Sequence, residues 1–85
     1  MTHELKILPE FFQAVKRGDK RFELRKKDRN YQVGDMLILQ EWTGGEYTGD
    51  SIARFITYVY NGKGKFGLAE GYCILGIAPL PKEVK

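Results

Sequence analysis

Residues 51–60, Ser-Ile-Ala-Arg-Phe-Ile-Thr-Tyr-Val-Tyr, constrain the fold more than any other stretch. β-Branched and aromatic side chains crowd this run, and such residues pack well on a pleated surface. Glycines bracket it. Thr43-Gly44-Gly45-Glu46 reads as a hairpin connection whose glycines are free to take positive φ. Asn61 to Leu68 reads as a long glycine-rich loop. Shorter strands surround the run. Residues 3–8 alternate, with His3, Leu5 and Ile7 against Glu4, Lys6 and Leu8. Met36 to Trp42 sends Leu37 and Leu39 one way and Met36, Ile38 and Gln40 the other. Tyr72 to Ile77 is the last strand, and Pro79 and Pro81 end regular structure. Antiparallel strands joined by short glycine turns are expected to close on themselves and hide their edges. At 85 residues the chain is one domain, expected over residues 1–80, with residues 81–85 frayed. It carries no internal repeat.

One helix interrupts this β pattern early. Pro9 fits the first helical position, where its missing N–H costs nothing. Glu10 complements the helix dipole at the start, and Lys16 and Arg17 do so at the end. Phe11, Ala14 and Val15 share a face, with Phe12 beside them, and Gly18 stops the helix in a left-handed conformation.

The chemistry concentrates just after that glycine, in Gly18-Asp19-Lys20-Arg21-Phe22-Glu23-Leu24-Arg25. On an extended chain Phe22 and Leu24 fall on one face and Arg21, Glu23 and Arg25 on the other. The expectation is that the apolar pair anchors the strand in the core while the charged row points outward. Lys20 at the corner is free to swing toward the charged side. Residues 16–30 hold eight Lys or Arg and three Asp or Glu, so a basic block sits on a nearly neutral body. Such a block is an electrostatic footprint for a polyanion. The plain alternative is a solvated charged strand whose salt bridges contribute about 0–1 kcal/mol each.

The pattern G-x-K-x-x-E-x-R resembles the signature of the ASCH domains, a branch of the PUA-like superfamily. His3 to Leu8, Phe11-Phe12, Phe22 to Lys26, Asp28-Arg29, Tyr31-Gln32-Val33-Gly34-Asp35 and Tyr47-Thr48-Gly49 together resemble the small bacterial and phage family DUF3850. The resemblance covers nearly the whole chain. It implies an α+β, mainly β fold: a small PUA-like (ASCH) β-barrel of about five to six strands with one helix after the first strand. It also implies a ligand cleft between barrel and helix, lined by Lys20, Glu23 and Arg25. Many PUA-like domains bind RNA, so an RNA-binding module, or one for a modified nucleotide, is the first functional expectation. Some small ASCH proteins are instead metal-independent amidohydrolases acting on N4-acetylcytidine. Lys20 matches their motif lysine. Glu23, however, stands where they carry a threonine, and the insertion bearing their later glutamate is absent, so binding is preferred to catalysis. A regulatory protein-interaction module is the third reading.

Further candidates extend the basic edge. Arg21, Lys26, Lys27 and Arg29 suit backbone phosphates, since nothing in them specifies a base. Tyr47 can stack on a base and Thr48 can donate to a phosphate; hairpin-flanking packing is the alternative. Lys63 and Lys65 lie in a glycine loop that lacks the spacing of a nucleotide-triphosphate loop, yet suits a phosphate backbone. Trp42, Tyr58 and Tyr60 have faces that can stack bases, against a default role in packing. A lone His3 excludes His-pair metal motifs, and a lone Cys73 in an apolar strand reads as an inert thiol and excludes an internal disulfide. No metal or cofactor is expected. No apolar run approaches a membrane span, and no basic-then-apolar signal segment opens the sequence, so a cytoplasmic location is expected.

Overall fold

A computed structural model describes residues 1–81. Its elements are β1 (Thr2–Ile7), α1 (Pro9–Arg17), β2 (Phe22–Lys26), β3 (Met36–Trp42), β4 (Tyr47–Tyr60) and β5 (Tyr72–Pro79). The strands form one five-stranded sheet in the order β1-β3-β4-β5-β2, curled into a half-barrel. The expected frayed tail falls almost wholly outside the described residues. No described helix is long and apolar enough to cross a membrane.

Local chemistry accounts for the helix. Pro9 occupies its first turn, Glu10 follows, and Lys16 and Arg17 close it. Gly18 adopts φ 87°. Its N–H then donates to Val15 O at 3.0 Å while the Asp19 N–H donates to Ala14 O at 3.0 Å, the paired bonds of a Schellman stop. Phe12 and Val15, three positions apart, bury themselves against the sheet. Phe11 does not join them; it remains 42% exposed. Three or four residues separate neighbours on one helical face, so Phe11 and Phe12 cannot both point at the same sheet.

The core combines Leu5, Ile7, Phe12, Val15, Leu37, Leu39, Ile56, Cys73, Leu75 and Ile77, with Tyr31 at its border. The alternation expected for residues 3–8 and for Met36–Trp42 holds. The expectation of antiparallel pairing holds for three of the four strand pairs, while β1 runs parallel to β3. The crossover between β1 and β3 contains α1 and β2, long enough to return the chain to the same end of the sheet.

Two expectations are corrected. The sheet keeps two edges, β1 and β2, rather than closing through a continuous ladder. The seam is bridged instead by Arg25 Nη2, which donates to Lys6 O at 2.8 Å. The faces of β2 are also reversed. Phe22 and Leu24 are 48% and 54% exposed, while Glu23 is 3% exposed. The register with β5 explains this. Glu23 lies opposite Leu75 and Arg25 opposite Cys73, so both share the inward face of β5. Phe22 and Leu24 lie opposite Gly76 and Ile74 on the outer face.

A bulge between Ile56 and Tyr58 sharpens the curl where β4 meets β5. Gly76 sits against it, and a Cβ there would come within 2.9 Å of Thr57 Oγ1. The close strand approach at the bulge therefore depends on a residue without a side chain.

Candidate functional site

Glu23 is the buried centre of the charged octet. Lys20 Nζ donates to its Oε1 at 2.5 Å, and Arg25 Nε donates to its Oε2 at 3.0 Å. The side chains of Lys20, Glu23 and Arg25 are 16%, 4% and 21% exposed, so the network is partly shielded from water. A carboxylate there holds two cations in fixed geometry, as a charge-assisted clamp. Lys20 also donates to Phe22 O at 2.7 Å, and Arg25 reaches across the seam to β1. The network thus links the turn after α1, strand β2 and strand β1.

A cleft of about 330 Å³ opens beside that seam. Arg25, Lys26 and Arg29 line one wall, and Lys6, Gln40 and Tyr47 line the other. Its size falls in the range of small-ligand sites. Tyr31 borders it. Burial pushes the Tyr31 phenol above its ordinary value, against the lowering effect of Arg29, so it stays protonated at neutral pH.

Of the residues singled out in the sequence, Arg25, Lys26, Arg29 and Tyr47 converge on this cleft. Lys20 and Arg21 line a separate hollow at the end of α1, together with Arg54. Thr48 directs its hydroxyl to Glu41 Oε1 at 2.8 Å, which satisfies a buried carboxylate. Lys63 and Lys65 are exposed in the loop between β4 and β5. Lys6, Glu4 and Gln40 were not singled out, although they line the cleft. The alternation of residues 3–8 already placed Glu4 and Lys6 on a polar face, but the neighbour of that face depends on pairing with β3.

Three further residues have structural explanations. His3 is 4% exposed and donates from Nε2 to Asp35 Oδ2 at 2.8 Å. Asp35 also accepts the Gln32 N–H at 3.1 Å and the α-amino group of Met1 at 3.2 Å. The His3 hydrogen bond above all, with the Gln32 and amino-terminal contacts, lowers the Asp35 carboxyl below its ordinary value despite burial. The Val33-Gly34-Asp35 segment therefore fastens β1 to the start of β3. Cys73 is fully buried, and burial pushes its thiol upward, which matches the expected inert thiol. Among the described residues, no group of three or more His, Cys, Asp or Glu is arranged to hold a metal ion.

Comparison with known proteins adds family but no activity. The chain is 51% identical over 57 residues to an uncharacterized 12.9 kDa protein in the GpA 3'region of Escherichia phage P2. That match covers 67% of this chain and 52% of the phage protein, so the chain spans about half the length of this relative. The family model described as a domain of unknown function, DUF3850, matches residues 2–77, and the chain belongs to that family.

Proposed function

We infer that the domain binds RNA, or a single modified nucleotide, in the basic cleft between β1 and β2, and that its half-barrel is of the ASCH, PUA-like type. The carrying observation is the convergence of Arg25, Lys26 and Arg29 with Tyr47 around one cleft of about 330 Å³. Arg25 is held there by Glu23 and Lys6 O, so its guanidinium is ordered before a phosphate arrives. Lys26 and Arg29 remain exposed, and their long side chains can reach successive phosphates of a backbone. The fold assignment is supported by the early helix, the curled five-stranded sheet and the octet G-x-K-x-x-E-x-R at the seam. A cytoplasmic setting accords with an RNA ligand.

Binding is favoured over amide hydrolysis because Lys20 lies outside this cleft, with hydrogen bonds to Phe22 O and Glu23 already made. A second reading, a protein-interaction module, is favoured by one observation: Phe11, Phe22 and Leu24 form an exposed apolar hollow beside Lys20. Salt separates the two readings. Phosphate-driven binding weakens steeply with ionic strength, with a log–log slope near −0.7 per neutralised phosphate of a single strand, and an apolar interface does not. The test is fluorescence polarisation of a labelled single-stranded RNA over a salt series, with the Lys26→Glu/Arg29→Glu variant in parallel. The expected result is a loss of roughly tenfold or more and a shallower salt slope. Unchanged affinity in that variant overturns the assignment of the cleft.

A further inference from the structure

The outer face where β1, β3 and the start of β4 meet carries side chains that neither the core nor the Glu23 network uses. Lys6 Nζ lies 4.6 Å from the Trp42 ring centroid and 5.8 Å from that of Tyr47. Trp42 and Tyr47 are register partners across the β3–β4 hairpin. Tyr47 is 53% exposed. Lys6 lies beside Gln40 in the β1–β3 register, and Gln40 Nε2 donates to Glu4 Oε1 at 3.4 Å. Among the described residues Lys6 has no ion-pair partner.

We propose that this face is a stacking subsite for one unpaired nucleobase of a single-stranded nucleic acid, selective for bases that carry an amino group. It rests on the nucleotide-binding reading of the adjoining basic cleft and deepens it. The Lys6 ammonium covers these ring faces, which shows that they are reachable from outside the core. A nucleobase offers a larger planar face, and stacking on Tyr47 gives it contact area without sequence constraint. The flexible four-carbon stem of Lys6 lets the ammonium leave the rings for an adjacent phosphate. Paired bases are already stacked on one another, so a duplex does not present this surface.

The base edge then meets Glu4 and Gln40, which share the cleft wall with Tyr47. An ionised Glu4 only accepts hydrogen bonds, whereas Gln40 donates and accepts. Acceptors at this position favour the N4 amino group of cytosine or the N6 amino group of adenine. Uracil offers a carbonyl oxygen at the equivalent place, which the carboxylate repels. Arg25, Lys26 and Arg29 on the facing wall supply positive charge for the flanking phosphates.

Trp42 is the sole tryptophan, so its fluorescence reports directly from the subsite. The intact protein is titrated with oligocytidylate, oligouridylate and an abasic strand of equal length and equal phosphate number. Oligocytidylate is expected to quench Trp42 and to bind most tightly, with the abasic strand weakest. Tyr47→Ala, at an exposed position, lowers oligocytidylate affinity by roughly 5- to 150-fold, the range measured for loss of one stacked base. Equal affinity for oligocytidylate and the abasic strand, with both weakened by Lys26→Glu, overturns the stacking subsite and leaves the basic cleft standing. Equal affinity for cytidylate and uridylate overturns the edge selectivity. Absence of binding to every strand overturns the nucleotide reading itself, and the subsite with it.

Discussion

Replacing Glu23 with glutamine separates a buried clamp from a decorative surface ladder. The carboxylate accepts from Lys20 Nζ at 2.5 Å and from Arg25 Nε at 3.0 Å, and it lies 2.9 Å from Arg25 Nη2. An exposed ladder contributes about 0–1 kcal/mol per pair. Removing one partner of a fully buried pair costs about 3–5 kcal/mol. Here the anion is 4% exposed and its cations 16% and 21%, so the cations regain some water when the carboxylate is neutralised. The expected loss for Glu23→Gln is therefore about 2–3 kcal/mol, between those limits. A domain of this length has on the order of 4–13 kcal/mol in total, so the loss is a large fraction. In urea, with an m-value on the order of 1 kcal/mol/M, the midpoint falls by about 2–3 M. The thermal midpoint falls by roughly 8–24 °C. Trp42 fluorescence and circular dichroism follow both transitions. A double-mutant cycle with Lys20→Met then isolates the Lys20–Glu23 coupling, expected above about 1 kcal/mol. A total loss below about 1 kcal/mol with no coupling would show that the burial of Glu23 has no energetic consequence and refute the reasoning.

Two further predictions concern protonation. Asp35 has a lowered carboxyl in the folded state, so its contribution is complete above the ordinary value of 3.8 and is lost as pH falls through the folded value. Asp35→Asn should lower the urea midpoint at neutral pH, and the gap between wild type and variant should close on acidification below about pH 4; a gap independent of pH contradicts this. Cys73 is buried with a raised thiol, so a disulfide reagent should leave the native protein unlabelled and react fully in urea. The same raised value makes the thiol's contribution complete below 9.0 and lost as pH climbs past it.

Much of the fold was legible because its signals are local. The Pro9 start, the Gly18 stop and the alternation of Met36–Trp42 each depend on a few adjacent residues. What escaped depends on partners far along the chain. Alternation in β2 separates Phe22 and Leu24 from Glu23 and Arg25, but it cannot say which set faces inward. That is set by register with Cys73 and Leu75, about fifty residues later. Hydrophobicity favours the opposite choice, and a carboxylate with two cations overrides it at the seam. The site was legible in the same measure. Arg25, Lys26, Arg29 and Tyr47 stood out by residue type. Lys6, Glu4 and Gln40 became cleft residues only through the parallel pairing of β1 with β3. Residue type allows Thr48 either to donate to a phosphate or to pack at the hairpin, and only the β3–β4 pairing shows its hydroxyl directed to Glu41.

The seam has a consequence for solubility. β1 and β2 each leave one strand edge without a ladder partner, and bare edges are templates for pairing with other chains. Lys6 and Arg25 stand on those two edges, and the bond from Arg25 Nη2 to Lys6 O ties them together. Charge on an edge and a covered edge both disfavour addition of a further strand, so these two residues guard the edges they stand on. The cations proposed to meet a polyanion thus also guard the bare strand edges, and stripping charge from the seam is expected to promote edge-to-edge association as well as to weaken binding.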